Sequence, residues 1–157
     1  MYIVKGENME NTKMKVLSII GLVGGIIGNY LGGWDIALRT LVLCMGIDYV
    51  TGLIVAGVFK LSPKTQSGAL QSKAGFKGLL KKSMVLIIIL IAYRLDRVLD
   101  SEFIRNGVIL AYLANEIISI IENAGLMGLY VPPILKKGID LLAKQTERSD
   151  SDETTIR

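Results

Sequence analysis

The sequence predicts an all-α, polytopic membrane protein. Four transmembrane helices are expected, or three as the alternative, followed by a C-terminal amphipathic helix lying in the interface. Three observations predict this fold class. Of the 157 residues, 51% are hydrophobic and only 20% are charged, whereas an average soluble domain has about 25% charged residues. The apolar residues are bunched into runs close to the length that crosses a bilayer core of about 30 Å. Lysines flank those runs and give a net charge of +4, a pattern suited to anionic lipid headgroups. Other classes fall away. The chain has no His, which removes histidine-based triads, histidine metal sites and a histidine pH switch. The single Cys44 excludes an intrachain disulfide and CxxC chemistry, and reads as a small buried apolar residue. No basic and aromatic nucleic-acid motif is present, and neither a metal nor a cofactor is expected.

Residues 1–15 are polar and carry no structural signal. Residues 16–34 are apolar and Gly-rich, and at about 1.5 Å per residue they reach roughly 28 Å, enough for a first span. A signal peptide would look similar, but the run lacks an A-x-A-like exit. Residues 36–59 form a second span, interrupted by Arg39 and Asp48. Residues 60–82 read as a basic loop with six Lys and no acid, broken by Pro63, Gly68, Gly75 and Gly78, with room for a short helix near residues 76–80. Residues 79–99 hold a third span centred on 84–93, with Arg94, Asp96 and Arg97 at its outer headgroup end. Residues 107–126 form a fourth, amphipathic span. Residues 16–131 thus make the transmembrane domain. Pro132 and Pro133 then redirect the chain. In 132–145, Ile134, Leu135, Ile139 and Leu142 make one apolar stripe opposed by Lys136, Lys137, Asp140 and Lys144, which suits an interfacial helix. The tail 146–157 is polar and reads as disordered.

Positive charge stays in the cytoplasm. Lys60, Lys64, Lys73, Lys77, Lys81 and Lys82 therefore place the 60–82 loop inside, among lipid headgroups. The connections at 32–38 and 100–106 fall outside. Both termini fall inside, with Lys136 and Lys137. If 16–34 lies on the surface instead, three spans remain and the N-terminus moves outside.

Several residues are poorly suited to lipid. Gly21, Gly24, Gly25, Gly28 and Gly32 make small-xxx-small spacings, a ridge that lets another helix backbone approach closely, within the chain or from a second copy. Asp48 lies mid-span, where a carboxylate costs about 2.5–3.5 kcal/mol unless paired or hydrated. It shares a face with Thr51, Gly52, Val55 and Ala56, so that face should look at protein or water. Arg39 is half a turn out of phase with Asp48 and snorkels to the outer interface. In the fourth span Asn115, Glu116, Ser119, Glu122 and Asn123 recur at three- and four-residue spacing, a polar stripe that needs other helices or water. Glu122 and Asn123 also suit the inner headgroups. Glu116 and Glu122 lie 240° apart on a helix, at about 100° per residue, so they are no acid/base pair.

Asp48, Tyr49, Thr51 and Gly52, then Gly78, Lys81 and Lys82, then Asn115, Glu116, Ser119, Glu122 and Asn123 followed by Gly128 and Pro132 together resemble the toxin-secretion/phage-lysis holins of Gram-positive bacteria and their phages. The likeness covers about 36–145; the extended N-terminus and acidic tail depart from the pattern, and nothing is carried over to them. The resemblance implies a non-enzymatic protein of the host cytoplasmic membrane. It would form homo-oligomers and open lesions through which a peptidoglycan hydrolase or a large toxin escapes. On that view Asp48, Thr51, Gly52 and the fourth-span stripe line a pore or an oligomer interface. The competing readings are a small channel or transporter subunit and a non-permeabilising, antiholin-like regulator. Transporter folds show internal repeats and broken midplane helices, and neither is evident.

Overall fold

The computed structural model describes residues 3–135, 137, 138 and 141. It is all-helical, with no strand among the described residues. The order is α1 (Ile3–Tyr30), α2 (Ile36–Ile54), a π-helical turn (Val55–Phe59), α3 (Ser72–Leu99) and α4 (Ile104–Leu126). The chain divides into two compact units, 1–34 and 35–157.

In the first unit, α1 includes most of the polar stretch 1–15, for which no element was expected. A helix already nucleated in an apolar run extends cheaply into neighbouring residues, one hydrogen bond per residue fixed. The helix ends at Tyr30. Gly32 and Gly33 follow with φ of 90° and 100°, and the Gly33 N–H donates to the Gly28 carbonyl at 2.8 Å. This turn folds Trp34 back along the helix, where its Nε1 donates to the Gly24 carbonyl at 2.9 Å. Only glycine fits beneath the indole: a Cβ on Gly28 would lie 2.0 Å from Trp34 Nε1.

In the second unit, Asp35 caps α2, its Oδ1 accepting from the Leu38 N–H at 2.8 Å. The π-helical turn continues α2 to Phe59, and Lys60 stops it in the left-handed region at φ 54°. The basic stretch is irregular only as far as Gln71; Lys73, Lys77, Lys81 and Lys82 are already on α3. The core forms where apolar residues recur every three or four positions and so share a helix face. Leu38, Leu41 and Met45 of α2 meet Ile109, Leu113 and Ala114 of α4, with Ile89 and Ala92 from α3. Helix α4 is central, packed against α2 and, less extensively, against α3.

Among the described residues two stretches, Ile36–Phe59 and Ile104–Leu126, are long and apolar enough to cross a membrane. Four were expected. Helix α1 is diluted by polar residues and glycine. Helix α3 is long enough, but Lys81, Lys82, Arg94, Asp96 and Arg97 bracket its apolar centre. The interfacial helix expected over 132–145 lies in part outside the described residues, with Lys136, Ile139, Asp140 and Leu142; so does the tail 146–157. At its start, the Leu135 N–H donates to the Pro132 carbonyl at 3.0 Å.

Candidate functional site: two polar layers in an apolar bundle

Helical spacing puts Asp48, Thr51 and Gly52 of α2, with Val55 at the start of the π-helical turn, on the face that meets α4. The same spacing puts Glu116, Ser119 and Asn123 on the facing side of α4. Where these faces meet, Lys82 reaches in from α3. Its Nζ lies 2.9 Å from Asp48 Oδ2 and also pairs with Glu116 Oε2. Asn123 Nδ2 donates to Asp48 Oδ1 at 3.2 Å and to Thr51 Oγ1 at 2.9 Å. The Thr51 hydroxyl in turn donates to the Ile47 carbonyl at 2.9 Å. A Cβ on Gly52 would stand 3.8 Å from Asn123 Nδ2, an ordinary van der Waals contact, so this approach does not depend on glycine there. Asp48 is 6% exposed, Glu116 5% and Asn123 6%. Burying charge is tolerable only with such pairing, and among the described residues no buried side-chain nitrogen or oxygen lacks a partner. Two carboxylates share one ammonium, so the layer is acidic by one charge.

A second layer ties the other end. Asp96 of α3 reaches beyond its own helix to the start of α4. Its Oδ1 accepts from the Ser101 hydroxyl at 2.5 Å and the Ile104 N–H at 3.1 Å, and its Oδ2 from the Arg105 N–H at 2.8 Å. Phe103, at the N-cap position of α4, offers no side-chain acceptor, so Asp96 supplies the anion that a helix start favours. Arg105 Nη1 donates to Asp35 Oδ2 at 2.5 Å, linking the starts of α2 and α4. Partial burial pushes the Asp35 carboxyl up, but the Arg105 guanidinium and the Leu38 N–H outweigh it and hold the pKa below the usual carboxylate value.

Helix rise separates the layers. Thirteen residues run from Asp35 to Asp48, eleven from Arg105 to Glu116 and fourteen from Asp96 back to Lys82. At about 1.5 Å per residue these are roughly 20, 16 and 21 Å. A cavity of about 940 Å³ opens beside the Lys82 layer, the inner of the two as against the outer Asp96 layer, between α2, α3, α4 and the irregular stretch after Lys60.

The structure thus brings together Asp48, Thr51, Gly52, Glu116, Ser119 and Asn123. Asn115 and Glu122 also line the cavity but are exposed. Lys82 was expected among headgroup lysines; its side chain turns inward instead, because two otherwise uncompensated carboxylates lie within its reach. The remaining described lysines of that set, Lys60, Lys64, Lys73, Lys77, Lys81 and Lys137, are exposed. Gly21, Gly24 and Gly25 have open space where a Cβ would project. Gly28 is covered by Trp34, and Gly32 lies past the end of α1. Sequence reasoning assigned no role to Asp35 or Arg105 and put Asp96 at the headgroups. The available signal was the missing cap at Phe103.

The chain matches the bacteriophage holin family over residues 25–144. It belongs to that family. Both polar layers lie within the matched stretch. An uncharacterized protein of Listeria innocua is 36% identical over 88% of this chain and 99% of its own length. An uncharacterized protein of Listeria monocytogenes is 37% identical over the same shares. A protein of Bacillus phage phi105 named a probable holin is 28% identical over 80% of this chain and 84% of its own. No solved structure matches this chain. Holin membership confirms, at the level of the family, the resemblance drawn from Asp48 to Gly52 and from Asn115 to Asn123. It makes the chain non-enzymatic and places its work at the cytoplasmic membrane.

Proposed function

We propose that the chain is a holin that gathers into homo-oligomers in the host cytoplasmic membrane and opens lesions. A peptidoglycan hydrolase, or a large toxin, leaves through them. Four spans cross the bilayer with both termini inside, α1 and α3 joining the two more apolar helices. The observation that carries this reading is the family match, which encloses the buried acidic layer. Internal pairing of Lys82 and Asp96 supports a membrane position for α3, since it removes two of the charges that lipid would reject. In the dispersed chain, Lys82 holds Glu116, the centre of the polar stripe of α4, inside the bundle. As copies accumulate, contacts between chains replace those within one, and the stripe, with Asp48, Thr51 and Gly52, turns to water or to a neighbour. Association by mass action makes the onset steep in concentration, as a lysis timer requires.

The test is inducible expression in a bacterium together with a cytoplasmic murein hydrolase that lacks an export signal. Turbidity should collapse only when both are present. Glu116→Leu with Ser119→Leu should delay or abolish the collapse; unchanged timing overturns the wetted stripe. A membrane potential that never falls, at any dose of the chain, overturns the holin reading.

A further inference from the structure

The cavity beside the inner layer has two kinds of wall. Leu53, Leu80, Met84 and Ile88 make much of it apolar, and Leu80 and Met84 are half exposed. Its charged lining is Lys64, Lys77, Lys81 and Lys82 against Asp48, Glu116 and Glu122. Lys82 is engaged by Asp48 and Glu116, and Lys64 is near enough to act on the charge of Asp48. The described ion pairs do not use Lys77 or Lys81, which stand one helical turn apart on α3. Their depth is also defined. Nineteen residues separate Asp96 from Lys77, roughly 28 Å along the helix, so with the outer layer at one surface of a core about 30 Å thick, Lys77 lies at the other. Lys81 is one turn deeper, within reach of the same surface by snorkelling. A cation pair at headgroup level above an apolar wall complements one ligand chemistry, a phosphate carried on acyl chains. The volume falls in the range of ligand sites, about 300–1,000 Å³, and accommodates a headgroup with the first part of its chains.

We infer that this cavity is a binding site for an anionic phospholipid, its phosphate held by Lys77 and Lys81 and its acyl chains lying on the apolar wall. The inference rests on the reading of α2, α3 and α4 as membrane spans. Bound lipid fills the space between the helices beside the Lys82 layer, so it favours the dispersed arrangement, and leaving the cavity is part of association.

The full chain, purified in detergent, is offered phosphatidylglycerol and phosphatidylcholine, and retained lipid is weighed by native mass spectrometry. Phosphatidylglycerol should be retained about tenfold better. Lys77→Gln with Lys81→Gln should bring the ratio to about twofold or less, whereas Lys60→Gln with Lys73→Gln, the same charge removed outside the cavity, should leave it near the original. Ala74→Phe, which fills the wall and alters no charge, should reduce retention as well. Equal loss in the two lysine pairs means general surface attraction and overturns the site, as does full retention by Ala74→Phe. Displacement of the lipid by glycerol phosphate points to a free anion and also overturns it. A chain that lyses cells yet shows no lipid preference overturns this inference and leaves the holin reading standing.

Discussion

At the scale of single residues, Lys82 decides the state of the inner layer. It is the cation for two buried carboxylates, and its side chain is 14% exposed. Lys82→Met would leave Asp48 and Glu116, both buried, without a cation between them. Breaking such a pair costs about 3–5 kcal/mol, most of it the uncompensated charge left behind. Lys82→Met should therefore melt well below the parent chain in detergent. Adding Asp48→Asn and Glu116→Gln should recover most of the loss, because no charge is then stranded. If the triple variant melts no higher than Lys82→Met, charge is not what holds the layer. Asp35 gives a pH test at the other end. Its folded carboxyl lies below its ordinary value of 3.8, so its contribution is complete above that value and fades as pH falls through the lower, folded one. The effect is small, since the side chain is 45% exposed and solvent screens the pair. Melting followed from neutral pH through the carboxylate range should show a smaller acid-induced drop in Arg105→Gln than in the parent.

At the scale of elements, the helices were legible because apolar runs and helical periods are local properties. The two apolar helices α2 and α4, the inward placing of Asp48, and the shared face of Glu116, Ser119 and Asn123 all follow from spacing alone. What was not legible depends on partners distant in sequence. Lys82 reads as one more lysine of a basic stretch until α3 is packed beside α2 and α4. Asp96 shows no role as a cap until the start of α4, eight and nine residues on, is folded under it. The extent of α1 was missed because polar residues can continue a helix without announcing it, and Gly32 was counted on a helix that Gly32 and Gly33 in fact end. Gly28 is the element-scale test. Trp34 is the only tryptophan, so its fluorescence reports that turn without interference. Gly28→Val must displace the indole from its hydrogen bond to Gly24. Gly25→Val, where a Cβ meets nothing within 4 Å, should not. Emission and acrylamide quenching should change in the first variant only; equal changes in both would mean that the indole does not rest on Gly28.

At the scale of the whole molecule, the two layers act as fixed marks along α2, α3 and α4. The outer mark is Asp35, Asp96 and Arg105. On the proposed membrane arrangement the inner boundary is Lys77, beyond the acidic layer and roughly 28 Å from Asp96 by helix rise. A hydrophobic body of fixed height is matched to one bilayer thickness, and each ångström of mismatch costs a fraction of a kcal/mol through tilt, thinning or exposure of apolar surface. Ion pairs in both layers cross-link the helices, so the body does not adjust by sliding one helix past another without breaking a buried charge. The chain reconstituted in phosphatidylcholine bilayers of graded acyl length should therefore melt highest where the hydrocarbon is about 28–30 Å thick and fall on either side. Breaking the outer tie with Arg105→Gln should broaden that optimum, since α2 then slides more freely against α4. A melting temperature indifferent to thickness, in parent and variant alike, would show that the two layers do not mark the limits of the membrane, and the reading of α2, α3 and α4 as spans would lose this support.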